Sequence, residues 1–168
     1  FQFIADYHAH PAYIGALADS VKAVWAREGR SHLVLSNHGV PVKYVDLGDP
    51  YRAQIRRTTE LLVEALGLAA EDYSECFQSR FGPTEWLQPY TDDRLEELAG
   101  QGVRAVTVLT PSFAVDCLET LEEIGEASRE KFLHAGGERF TLVPALNASP
   151  SHVDALVSVL RDAGVGAD

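Results

Sequence analysis

The first place in the sequence where chemistry can be located is a histidine followed by glycine at the end of an apolar run, His32-Leu-Val-Leu-Ser-Asn-His38-Gly39. Imidazole accepts a proton or ligates an intermediate metal near neutral pH, and open α/β sheets put their ligands at the carboxyl ends of strands. The same position also suits a plain, partly exposed histidine closing a strand. Further along, Glu119, Glu122, Glu123, Glu126 and Glu130 recur at helical spacing. At roughly 100° per residue they share about a 100° arc, with Leu118, Leu121, Ile124, Ser128 and Phe132 opposite. Such a face is either a solvated surface or the carboxylate cluster that a hard cation or a proton relay requires. Glu119, in the first turns and just past the preceding strand, is the best placed of the five. Trp86, among Phe81, Gly82, Pro83 and Pro89, either offers an aromatic wall to a flat apolar ligand or pins its own loop. Arg80 suits a ligand carboxylate or one of the chain's own acids. His8, His10, His32, His134 and His152 share no metal-ligand spacing and are expected at the surface.

These groups need elements to position them. Apolar residues at Ile14, Leu17, Ala18, Val21, Val24 and Trp25 predict an amphipathic helix from Pro11 to Gly29. A strand buried on both faces follows at His32 to His38, and Gly39 to Pro50 reads as a loop. Asp49-Pro50 opens a second helix to about Leu66, ended by Gly67. Tyr73 to Gln78 is a weaker strand, Arg80 to Tyr90 an irregular loop, and Thr91-Asp-Asp caps a third helix ending at Gly100 or Gly102. Arg104 to Thr110 is the clearest strand, followed by a long helix from about Val115 to His134. A last strand is expected at Phe140 to Pro144, and Ser149-Pro150 starts the closing helix. This alternation predicts an α/β fold in which a parallel four-stranded sheet is flanked by helices.

At 168 residues and 46% hydrophobic, the chain suits one compact domain with a real core. Its 25 acidic against 14 basic residues, a formal charge of -11, repel a phosphate backbone, so no nucleic acid partner is expected. No apolar run is long enough to span a bilayer, and the start at Phe1 lacks the pattern of a secretory signal, so a cytoplasmic chain is expected. Cys76 and Cys117 are far apart and in no metal-ligand spacing, which supports neither a disulfide framework nor an iron–sulfur cluster. No resident cofactor is therefore expected.

Four stretches taken together resemble the ferrochelatases, in particular the bacterial enzymes that make protoheme. They are Leu33-Val-Leu-Ser-Asn-His-Gly-Val-Pro41, Phe77-Gln-Ser-Arg-Phe-Gly-Pro83 with Trp86-Leu-Gln-Pro-Tyr-Thr-Asp92, Pro111-Ser-Phe-Ala-Val-Asp-Cys-Leu-Glu-Thr-Leu-Glu-Glu-Ile124, and Pro144-Ala-Leu-Asn-Ala-Ser-Pro150. They stand in family order and at family spacing over nearly the whole chain. The resemblance implies one half of a two-domain chelatase-like fold with a porphyrin held between the halves. Residues 1–168 would be the C-terminal domain, and the missing N-terminal half its partner. It implies a lyase of heme biosynthesis whose substrates are protoporphyrin IX and Fe2+, the iron being substrate and not cofactor. The family's active-site histidine falls on His38 and its glutamate on Glu119, which also become the metal-contacting pair. Asp116 and Glu123 match acids lining a proton or metal route, while Ala127 replaces a further acid of that line. Trp86 and Phe113 match aromatic positions near the porphyrin, and Arg80 joins them as a candidate porphyrin contact. The family's apolar substrate allows peripheral membrane contact.

Inserting iron removes two pyrrole protons while Fe2+ sheds water, which asks for a base and for oxygen or nitrogen ligands that do not trap the metal. His38 and Glu119 supply both kinds of group, and the sequence leaves open which of them takes the protons. It also leaves open protoporphyrin against coproporphyrin. With half of the cleft missing, the fragment alone is expected to be poorly active. Two other readings stay open: a non-catalytic porphyrin- or metal-binding half-domain that needs a second chain, and a chelatase for another tetrapyrrole or metal, such as cobalt.

Overall fold

A computed structural model describes residues 3–165, so both ends of the expected 1–168 domain lie outside the described residues. The first helix, α1 (Pro11–Glu28), has proline in its first turn, and the His10 ring accepts the Ala12 N–H at 3.3 Å. It ends at Gly29, whose φ of 82° suits a residue without a Cβ. Four strands follow at intervals: β1 (His32–His38), β2 (Tyr73–Gln78), β3 (Ala105–Leu109) and β4 (Arg139–Leu142). All pairings are parallel and the order is β2-β1-β3-β4, so β1 and β3 are central.

Because successive strand residues face opposite ways, the central strand β1 feeds two cores. Leu33 and Leu35 pack with Leu17 and Val21 of α1 and with Leu62 of α3 (Tyr51–Leu66). Val34 packs on the other face with Leu95 and Leu98 of α4 (Thr91–Gly100) and with Phe132 of α5 (Arg129–His134). All three strand residues are fully buried. At about 1.5–3 kcal/mol for each such side chain, this short run is a main source of stability. The closing helix α6 (Pro150–Asp162) lies against α1, and Ser149 caps it by accepting the His152 N–H.

Several expectations need correction. Within the expected loop Gly39–Pro50 lies a short helix, α2 (Val42–Asp46); it buries none of its residues, so no apolar periodicity announces it. Thr91 does not cap α4: it is the first helical residue, and its buried hydroxyl pairs with Ser36 at 2.7 Å. The helix expected from Val115 begins at Leu118, and from Glu119 to Ser128 it is wound as a π-helix before continuing as α5. With i→i+5 closure, residues four apart nearly align, so Thr120, Ile124 and Ser128 form the buried row. Leu118 and Leu121, expected on the same side as Ile124, Ser128 and Phe132, are instead 72% and 54% exposed. His152 is no surface residue: it is buried, with Nδ1 donating to the Asn147 carbonyl at 2.6 Å. No helix among the described residues is long and apolar enough to cross a membrane.

Candidate active site

His38 is the last residue of β1, and Gly39 follows where a side chain would be crowded. A Cβ there would meet the Gln78 carbonyl oxygen at 3.1 Å and Trp86 Cε3 at 3.2 Å. The His38 ring lies between two aromatic rings, with centroids 6.4 Å from Trp86 and 6.1 Å from Phe113. Its Nδ1 is 2.6 Å from the Gly39 carbonyl oxygen. A carbonyl only accepts, so in the neutral ring Nδ1 carries the proton and Nε2 is left with a free lone pair. That lone pair is what a base or a metal ligand needs.

Trp86 is half-buried and held from two sides. Its indole N–H donates to the Phe81 carbonyl at 3.0 Å, and its backbone bridges Pro41. Phe113 sits in a turn closed by its N–H on the Thr110 carbonyl at 3.0 Å, just past β3. Both aromatics therefore stand at the carboxyl edge of the sheet, beside His38.

Glu119 opens the π-helix. Its carboxyl is held below the usual carboxylate range by a hydrogen bond from the Cys117 thiol, then by its own backbone N–H, with the His38 charge adding to both. It is thus an ionised acceptor within electrostatic reach of the histidine. Its backbone carbonyl accepts from Gln78 Nε2 at 2.7 Å, which ties the first π-turn to the end of β2.

Asp116 and Glu123 flank Glu119 along the chain, but protein donors occupy their carboxylates. Asp116 accepts from Asn147 Nδ2 at 2.8 Å, the Ala145 N–H at 3.1 Å and the Thr120 hydroxyl at 3.2 Å. Its own N–H donates to Asn147 Oδ1 at 2.9 Å, closing a two-way clasp. Glu123 takes the Ser79 N–H at 2.7 Å and the Ser79 hydroxyl at 2.6 Å. The Arg80 guanidinium lies 4.0 Å above the Tyr90 ring, and Arg80 makes no ion pair among the described residues. It shares a small polar recess with Glu123 and Asp92. Glu122, Glu126 and Glu130 face solvent.

The structure thus gathers His38, Glu119, Trp86 and Phe113 at one end of the sheet, with Asp116 and Glu123 in supporting contacts and Arg80 to one side. Gln78, Ser79, Cys117 and Asn147 also belong to the site and were not singled out from the sequence. All four lie in the quoted motif stretches, three of them close to residues that were, which was the only available signal. Among the described residues, no group of three or more histidines, cysteines or acids is arranged to hold a metal ion.

The layered α/β architecture is that of the chelatase fold. It matches SirB from Bacillus subtilis, a structure described with Fe3+, at a TM-score of 0.66 and 16% identity, covering 95% of this chain and 56% of that one. The chain belongs to the ferrochelatase family, whose model matches residues 1–163. It is 52% identical over 163 residues to the ferrochelatase of Marinobacter nauticus, covering 96% of this chain and 44% of the relative. It is 50% identical over 162 residues to that of Vibrio vulnificus, covering 96% and 51%. The chain therefore spans about half the length of the curated relatives it matches.

Proposed function

We propose that this chain is the C-terminal half of an enzyme that inserts Fe2+ into protoporphyrin IX to form protoheme, the N-terminal half supplying the opposite wall of the porphyrin cleft. The observation that carries the reading is the free Nε2 of His38, set between Trp86 and Phe113 and electrostatically coupled to an ionised Glu119. In this reading iron is a substrate and the chain has no resident cofactor.

The reaction consumes Fe2+ and a porphyrin with two pyrrole N–H groups, and yields the iron porphyrin and two protons. Each N–H bond breaks heterolytically, leaving its electron pair on nitrogen to bind the metal. His38 Nε2 takes a proton from the macrocycle, with the ionised Glu119 carboxylate within electrostatic reach. Glu119 also offers an oxygen to incoming Fe2+, replacing part of its water shell without the multidentate grip that would retain it. Trp86 and Phe113 give the flat ligand an apolar wall. Asp116 and Glu123, in their present contacts, hold the helix that carries Glu119.

The test is an anaerobic assay of the whole protein with protoporphyrin IX and Fe2+, following heme absorbance. Turnover that His38→Ala and Glu119→Gln each reduce at least about 100-fold supports the reading. Wild-type turnover in His38→Ala would sink it. The isolated chain should quench porphyrin fluorescence with little turnover. Running Co2+ and coproporphyrin beside the standard pair separates the other chelatase specificities.

A further inference from the structure

β1 outruns its neighbour β3. Its pairing with β3 stops at Leu35↔Leu109, whereas β2 stays in register through His38↔Gln78. The Gly39 N–H points to β2, donating to the Gln78 carbonyl at 2.9 Å. Backbone groups alternate in direction along a strand, so the N–H and C=O of His38 face the side where β3 has already ended. Left there, they would have no ladder partner.

Two side chains take the place of the missing strand. The His38 N–H donates to Ser112 Oγ at 3.0 Å, and the Tyr51 hydroxyl donates to the His38 carbonyl at 2.8 Å. The Tyr51 hydroxyl has a single proton, which goes to the carbonyl, and Ser112 Oγ serves the amide as acceptor, so both backbone groups of His38 are paired by side chains.

We propose that Tyr51 and Ser112 are positioning residues for His38. By holding both backbone groups of the histidine, they fix the peptide leading to Gly39, so that the Gly39 carbonyl meets Nδ1–H and Nε2 stays free between Trp86 and Phe113. The inference deepens the reading of His38 as proton acceptor or iron ligand, since a proton on Nε2 would block both roles. The tautomer of an imidazole is set by the hydrogen bond that its other nitrogen makes, and here that bond depends on the backbone. Tyr51 also borders a cavity of about 210 Å³ shared with Tyr13, Gln54 and Ile55, so loss of its hydroxyl creates no overlap.

The experiment uses the 168-residue chain labelled with 15N-histidine, at about pH 8.5, where an ordinary imidazole is neutral. Long-range proton–nitrogen NMR reads the tautomer of His38, and hydrogen exchange reads its amide. The wild type should show the Nδ1–H form. Tyr51→Phe and Ser112→Ala should each give a mixture of tautomers and exchange the His38 amide roughly tenfold faster. Ser112→Thr, which keeps a hydroxyl, should retain the wild-type tautomer. If Tyr51→Phe does not fold, the Ser112 pair at its exposed position decides the matter. A wild-type tautomer and wild-type exchange in Ser112→Ala would overturn the proposal. Because no porphyrin or iron is added, failure of the metal-insertion reading would leave this result standing, and the reverse holds too.

Discussion

Glu123 and Ser79 are locked together across the gap between the π-helix and the end of β2, one carboxylate oxygen on the Ser79 N–H at 2.7 Å and the other on its hydroxyl at 2.6 Å. Ser79 needs such a partner, because its φ of 64° is left-handed and a side chain resists that conformation. Gln78 Nε2 reaches the same carboxylate at 3.4 Å while holding the Glu119 carbonyl at 2.7 Å. The start of the π-helix is therefore set by a strand end more than forty residues earlier. The carboxylate thus acts in this structure as an acceptor that fixes the Ser79 turn.

Glu123→Ala is accordingly expected to cost about 2 kcal/mol, because it leaves the Ser79 amide without its acceptor and removes charge-assisted bonds. Glu123→Gln should cost about half as much, since the amide oxygen still accepts one of them. Urea denaturation of the isolated chain checks both. A Glu123→Ala variant as stable as wild type would mean that water replaces the carboxylate freely.

The layout of strands and helices was legible in the sequence because it depends on local periodicity. The apolar run of β1 and the i, i+3, i+4 pattern of α1 lie in contiguous residues, and so does the glycine that ends each element. The placement of His38 at a strand end was legible for the same reason. The π-winding was not, because it rests on tertiary ties such as Gln78 to the Glu119 carbonyl, and it changes which residues share a face. An α-helical wheel therefore grouped Leu118 and Leu121 with the buried Ile124, Ser128 and Phe132. The engagement of Asp116 was equally hidden, as its partner Asn147 lies 31 residues away. Thr91 misled for a similar reason: its hydroxyl found Ser36, 55 residues earlier, instead of the helix end beside it.

The half-buried His32 should make stability fall on mild acidification. Burial, and then the Arg94 charge, hold its pKa below the ordinary value of 6.5. Arg94 Nε donates to Ser74 Oγ at 3.0 Å, leaving the Ser74 proton for His32 Nε2 at 2.9 Å, so the surroundings favour the neutral ring. The unfolded chain then takes up this proton at higher pH than the folded one. The contribution is full above the ordinary value and is lost as pH falls from there through the depressed folded value. His32→Gln should flatten the stability profile in that window, measured by urea melts at successive pH values. An unchanged slope would assign the effect to other groups.

Gly39→Ala tests the close approach at the end of β1. The added methyl would sit 3.1 Å from a backbone oxygen that cannot move without breaking the β1–β2 pairing, and 3.2 Å from the Trp86 ring, which can. The ring is expected to give way, at a cost of about 1–3 kcal/mol. In a Trp25→Phe background, where Trp86 is the remaining tryptophan, its emission should shift to the red as the ring becomes more exposed. Unaltered emission together with unaltered stability would show that the backbone accommodates the methyl.

Cys117 should control when Glu119 is charged. The thiol hydrogen bond is the largest of the influences holding the Glu119 carboxyl below its ordinary value of 4.5, ahead of its own backbone N–H and the His38 charge. A depressed carboxylate contributes stability above its unfolded value and loses it as pH falls through the folded one. Removing the thiol in Cys117→Ala should move the Glu119 midpoint up toward 4.5 and narrow that window from below. Cys117→Ser keeps a donor and should move it less. Carboxyl-carbon NMR titration of the isolated chain reads the midpoint directly, with no metal or porphyrin present. The consequence reaches the proposed chemistry, because a carboxylate must lose its proton before it can meet Fe2+. In the whole protein, the acid limb of turnover should then begin at higher pH in Cys117→Ala. A Glu119 midpoint that stays put would transfer control to the backbone N–H and to His38, the two influences that the substitution leaves in place.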